Sequence, residues 1–174
     1  MARNIYGGGS KTNLNGLKFE QETSLKEAIL KLKGYSVNNG DIYFEGVHIG
    51  IIAGKNALYT KLLIPNGIQY ENILSKKLLP DEAIYIKSTK RVYIIEKKFQ
   101  NCAGSVDEKL QTCDFKRRQY EKLFNPIGIK SFYLYVLSDW FKQEQYKDVL
   151  QYIIDRDCHY FFNEIPLDFL ELPQ

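Results

Sequence analysis

The chain has 174 residues, of which 44% are hydrophobic and 26% charged, with a formal net charge of +3. This length and balance suit one globular domain with its own core and exclude a disordered or fibrous chain. No apolar run approaches the roughly 20 residues of a membrane helix, and Met1–Tyr6 lacks the apolar stretch of a signal peptide, so a cytoplasmic protein is expected.

The small net charge hides an uneven distribution. Residues 1–86 hold ten Lys/Arg and eight Asp/Glu (+2), residues 87–130 eleven and five (+6), and residues 131–174 three and eight (−5). A polyanion would be drawn to the middle segment. The three cysteines, Cys102, Cys113 and Cys158, show no metal-ligand spacing, and an odd count reads as reduced thiols rather than a disulfide framework.

In chain order, Gly7-Gly8-Gly9-Ser10 predicts a flexible arm over residues 1–14, ahead of a single domain over 15–174. The arm lacks the Gly-Lys-Ser/Thr ending of a phosphate loop. Asn15 as N-cap predicts a helix of about 18 residues ending near Gly34. Leu25, Ala28, Ile29 and Leu32 would form its apolar stripe. Gly34-Tyr35 and Asn38-Asn39-Gly40 mark turns, residues 41–57 read as strand, and Leu58–Leu63 as strand or short helix.

Ala83–Ile86 and Val92–Ile95 then read as two strands of a hairpin, joined by the polar Lys87–Arg91. Residues 105–124 predict one helix, and Phe132–Leu137 a strand buried on both faces. Ser138 or Asp139 can cap a further helix carrying Phe141, Tyr146, Val149, Leu150 and Ile153. Residues 159–172 read as an edge strand interrupted by Pro166. This order implies an α/β sandwich, a central mixed β-sheet flanked by helices.

The hairpin carries the chemistry. Side chains leave a strand with period two, so Glu96 and Lys98 share one face and Lys97 takes the other. Folding the hairpin brings Asp81 beside Glu96, so two carboxylates and an ammonium meet at one sheet edge. A divalent cation would hold such carboxylates together. Charges at a strand end can also serve only to discourage edge pairing.

Pro80, Asp81, Glu96 and Lys98, in this strand context, resemble the active site of the PD-(D/E)xK nuclease superfamily. Gly104–Thr112 is similar to a tract following the catalytic strand in some type II restriction endonucleases, and Gly16–Glu20 to the way several of them begin. The resemblance implies a restriction-endonuclease-like fold and Mg²⁺-dependent hydrolysis of double-stranded DNA at a specific site, leaving 5′-phosphates. Mn²⁺ would substitute, and Ca²⁺ would bind without turnover. It implies Asp81 and Glu96 as metal ligands, Lys98 as the residue positioning water and stabilising the phosphorane charge, and a first-helix glutamate near the metal. Glu20 fits that last role by context and Glu22 by helical phase; Glu20 is chosen.

Gln100, Gln111 and Tyr120 are accessory candidates, able to orient Lys98 or contact a phosphate. Lys109, Lys116, Arg117 and Arg118, with Gln111, are the candidate DNA contacts. One site per chain predicts a homodimer on a palindromic sequence, and a restriction role predicts a cognate DNA methyltransferase. Rival readings are a repair or recombination nuclease of the same fold, an inactive DNA-binding subunit, and a sugar- or protein-binding α/β domain.

Overall fold

A computed structural model describes residues 16–102 and 104–174. The arm over residues 1–14 lies outside the described residues. A seven-stranded mixed sheet runs through the domain with helices on both faces. Its strands are β2 (Tyr35–Asn38), β3 (Asp41–Phe44), β4 (Val47–Ile52), β5 (Glu82–Ile86), β6 (Arg91–Lys98), β7 (Lys130–Leu137) and β8 (His159–Phe162), paired in that order. The pairs from β2 to β6 are antiparallel; β6, β7 and β8 run parallel. The α/β architecture expected from the order of elements is therefore present.

Antiparallel pairing needs only tight turns. Asn39-Gly40 and Glu45-Gly46 both have positive φ, the backbone of a two-residue hairpin whose twist matches its strands. The single strand expected over residues 41–57 is thus two strands, and Tyr35–Asn38 adds a third. Gly50 is required where β4 meets β5, since a Cβ there would lie 2.3 Å from the Tyr85 carbonyl oxygen. Leu58–Leu63 forms a wide helical turn, with Leu58, Tyr59, Leu62 and Leu63 buried.

The long first helix is not formed. Residues Gly16–Lys18 make a short strand, β1, paired with β9 (Glu164–Pro166) in a separate two-stranded sheet. Burial of Leu17 and Phe19 around exposed Lys18 has the period of a strand. Helix α1 covers only Leu25–Leu30. It opens at a capping box in which the Ser24 side chain accepts from the Glu27 N–H and the Glu27 carboxylate accepts from the Ser24 N–H.

The single helix expected over 105–124 breaks at Gln111-Thr112 into α2 (Val106–Leu110) and α3 (Cys113–Phe124). After β7, two short 3₁₀ turns precede α4 (Lys147–Asp155), and α5 (Leu167–Leu170) follows β9. Among the described residues no helix is long and apolar enough to cross a membrane.

The sheet separates two cores. On one face Ala83, Val92, Ile94, Tyr133 and Tyr135 meet Cys113, Tyr120, Leu123 and Phe124 of α3. On the other, Ile84, Tyr93, Ile95, Leu134 and Val136 meet Leu25, Ala28 and Ile29 of α1. β6 and β7 feed both cores, which is why their central residues are apolar on both faces. The thiols of Cys113 and Cys158 are buried beside each other in the first core; Cys102 is exposed.

Ser24→Ala should cost about 1 kcal/mol of unfolding free energy in urea. The slope against denaturant should stay unchanged, since only the α1 cap is lost.

Candidate functional site

The antiparallel register sets Glu82 opposite Ile95, which brings Asp81 to the level of Glu96. Side-chain alternation then separates the charges. Asp81 follows the phase of Ala83, and Glu96 and Lys98 the phase of Ile94, so all three lie on the α3 face. Glu82 and Lys97 take the α1 face.

There they have structural partners. Glu82 Oε1 accepts from the Leu25 N–H at the start of α1 (3.0 Å), and Lys97 Nζ donates to the Thr23 carbonyl (2.8 Å). Burial raises the Glu82 carboxyl above its ordinary range, opposed by the Leu25 hydrogen bond and the nearby Lys97 charge.

On the α3 face the Lys98 ammonium sits among three oxygens. It is 3.2 Å from Glu96 Oε2, 3.6 Å from Asp81 Oδ2 and 3.2 Å from the Lys97 carbonyl. Asp81 Oδ2 also accepts the Lys97 N–H at 3.0 Å, which ties the carboxylate to the strand end. From α3, Lys116 Nζ comes within 3.7 Å of Glu96 Oε2. The side chains grade from inside to outside: Glu96 is 7% exposed, Lys98 18%, Lys116 30% and Asp81 41%. The cluster, termed the recess, thus runs from a buried floor at Glu96 to an open mouth at Asp81.

Tyr120 packs behind the recess. Its hydroxyl is pushed well above its usual range, first by burial and then by the nearby carboxylates of Glu96 and Asp81. It stays a neutral phenol able to donate a hydrogen bond.

The strand ends are pinned by a residue expected only as a helix cap. Ser138 Oγ accepts the Gln100 N–H (3.1 Å) and donates to the Gln100 carbonyl (3.0 Å), while the Ser138 N–H donates to the Lys98 carbonyl (3.1 Å). A hydroxyl ending an apolar strand was the available signal. Gln100 is buried, and its amide nitrogen and oxygen have no hydrogen-bond partner among the described residues.

The remaining candidates divide. Glu20 is not on a helix. It lies exposed in the turn after β1, where its N–H donates to Thr23 Oγ1 and its carbonyl accepts from the Thr23 N–H. That turn leads into α1, across the sheet from Glu96. Glu22, also exposed, lies in the same turn. Among the described residues no three His, Cys, Asp or Glu side chains group to hold a metal, so neither glutamate completes a triad with Asp81 and Glu96.

Arg117 is not a free DNA contact either. Only 15% exposed, its guanidinium is paired to Asp114 and Glu121 within α3. Its position four residues after buried Cys113 turns it inward. Arg118 is exposed but bridges to Asp114 Oδ2 at 2.9 Å. Lys109 is exposed, without an ion-pair partner among the described residues. Gln111 lines an open groove with Gln145, Tyr146, Asp148, Val149 and Tyr152.

Comparison with protein-family models, curated proteins and solved structures finds no match.

The donor set at the recess consists of hard oxygens, two carboxylates and a main-chain carbonyl, and fits a small divalent cation. Without Lys98, Asp81 would lose its cation and Glu96 would keep only Lys116, at 3.7 Å. Lys98→Met should therefore destabilise the fold by on the order of 2 kcal/mol, below the roughly 3–5 kcal/mol for a fully buried pair because Asp81 is open to water. Millimolar Ca²⁺ should restore part of that loss in a thermal melt, and more than it adds to the parent.

Glu82 supplies a pH test. Its raised carboxyl pKa favours the folded state while the group is protonated, and that contribution is lost as pH rises through the folded pKa. Glu82→Gln keeps an acceptor for the Leu25 N–H without a buried charge. It should raise the melting temperature at pH 7 and leave it nearly unchanged below the ordinary carboxylate range.

Proposed function

We propose that the chain is a Mg²⁺-dependent endodeoxyribonuclease of the PD-(D/E)xK kind, acting as a type II restriction enzyme on double-stranded DNA. The observation that carries this reading is the convergence of Asp81 Oδ2, Glu96 Oε2 and the Lys97 carbonyl on one cation position, held by Lys98 Nζ. Three oxygens from separate groups, placed by two paired strand ends, are more than edge protection requires. Glu96, Lys98 and Lys116 belong to the basic segment over residues 87–130.

Asp81 and Glu96 would hold the metal, with the Lys97 carbonyl beside them. A bound Mg²⁺ supplies Lewis-acid stabilisation of charge on the scissile phosphate. The chain supplies position and further charge. Lys98, released from its bridge to the carboxylates, hydrogen-bonds the attacking water and the non-bridging phosphate oxygens. Lys116, at the recess wall, neutralises the phosphate on entry. Water adds to phosphorus in line with the leaving oxygen, and the bond from phosphorus to the 3′ oxygen breaks. A proton passes to that oxygen, leaving a 3′-hydroxyl and a 5′-phosphate. The neutral Tyr120 phenol confines the carboxylates from behind.

One recess per chain cuts one strand, so a duplex cut is read as the work of a homodimer on a symmetric site. Protection of host DNA then requires a cognate methyltransferase, with both proteins in the cytoplasm.

Unmethylated phage DNA with Mg²⁺ should yield discrete fragments, while Lys98→Ala and Asp81→Asn should lower the cleavage rate by at least about 10²-fold. A smear instead of bands would replace site-specific cutting with a repair-type nuclease. No cutting with Mg²⁺ or Mn²⁺ would overturn the nuclease reading.

A further inference from the structure

The outer face of α3 and the segment leading to Asp81 enclose a groove of about 420 Å³, lined by Ile73, Leu74, Leu78, Phe115, Gln119 and Lys122, with Lys76 at its side. We propose that this groove takes one unpaired nucleobase of the strand whose phosphate occupies the recess. This rests on the nuclease reading and names what that site recognises.

Three observations point to this ligand. Phe115 is 61% exposed, the one aromatic among the exposed large hydrophobics of the described residues, so an open ring face stands in water. Every base has a π-face to lay against such a ring. Next, Lys76 and Lys122 have no hydrogen-bond or ion-pair partner among the described residues, while Arg117 and Arg118 on the same helix are neutralised by Asp114 and Glu121. The groove therefore keeps uncompensated positive charge where a sugar-phosphate backbone would pass. Last, both walls adjoin the recess along the chain. Leu78 precedes Asp81 by three residues, Phe115 precedes Lys116 and Gln119 precedes Tyr120. The proposal seats in the groove the nucleotide next to the one held at Lys116, where the Gln119 amide can donate to and accept from a base edge. A purely apolar partner would gain nothing from the two lysines.

The unpaired base could come from a single strand or from a duplex position turned out of its stack, and the test separates them. Oligonucleotides carrying 2-aminopurine are titrated with the full chain in EDTA, which prevents cutting, as a single strand, as a mismatched duplex and as a fully paired duplex. Aminopurine emission reports stacking. The parent should bind the single strand or the mismatch more tightly than the paired duplex. Phe115→Ala should weaken that binding by about 5- to 100-fold, and Phe115→Trp should restore it. Lys76→Ala with Lys122→Ala should flatten the salt dependence. Because Phe115 is exposed, its loss should leave the melting temperature unchanged.

Equal binding by parent and Phe115→Ala for every probe would overturn the proposal. So would a shift of sedimentation from dimer to monomer in Phe115→Ala without a change in emission, which would make the patch a self-association surface. The underlying reading fails separately. Base-dependent binding without any cleavage in Mg²⁺ or Mn²⁺ keeps the groove and removes the nuclease, whereas cleavage unaltered by Phe115→Ala removes only the groove.

Discussion

The contact on which the site depends is the Lys98 ammonium among Asp81, Glu96 and the Lys97 carbonyl. Glu96 lies 7% exposed on the floor of the recess, where an unpaired carboxylate would cost several kcal/mol in lost hydration. Only a nearby cation makes that position tolerable, and two of them, Lys98 and Lys116, come within 3.7 Å. A divalent cation taking the place of the ammonium at these oxygens would free Lys98 to turn toward an incoming anion. The same three oxygens can then serve the resting fold and the proposed reaction without rebuilding the strands.

Strand parity keeps this cluster apart from the charges that hold the fold. Asp81 and Glu82 are adjacent in sequence, as are Lys97 and Lys98, yet one member of each pair faces α3 and the other α1. Glu82 and Lys97 dock the first turn of α1, while Asp81 and Lys98 face solvent through the recess. A one-residue slip of β5 against β6 would exchange the two roles and bury the apolar residues on the wrong sides. The deep apolar packing of Ile84, Ile94 and Ile95 therefore protects the register on which the polar cluster relies.

This division explains which features were legible in the sequence. The β5–β6 hairpin and β7 show strong apolar runs bounded by polar turns, and parity alone put Glu96 and Lys98 on one face and Lys97 on the other. Residues 16–34 misled because Leu25, Ala28, Ile29 and Leu32 have true helical spacing, which was extended backwards through Gly16–Phe19. The latter alternate like a strand, and their partner, Glu164–Pro166, is almost the whole chain away. The error carried Glu20 into the site. The Gln111-Thr112 break was hidden because Val106, Leu110 and Cys113 keep an apolar face across it. Arg117 reads as a free cation until its two acidic neighbours, three residues before and four after, are recognised as partners on one helix. Lys116, one position earlier, has no such neighbours and turns to Glu96 instead.

Ser138 and Gln100 show why the site is held at the strand ends rather than on a loop. Two backbone bonds at Gln100 and one at Lys98 lock β6 to β7 just where their main chains would splay. β6 ends at Lys98, and past that clamp the Gln100 amide is buried, without a hydrogen-bond partner among the described residues. A buried amide is tolerated where polar groups meet both of its ends. A purely structural position would favour Leu or Met. In the proposed reaction a water or a phosphate oxygen would meet that amide as the substrate enters, which would make Gln100 the inner wall of the site.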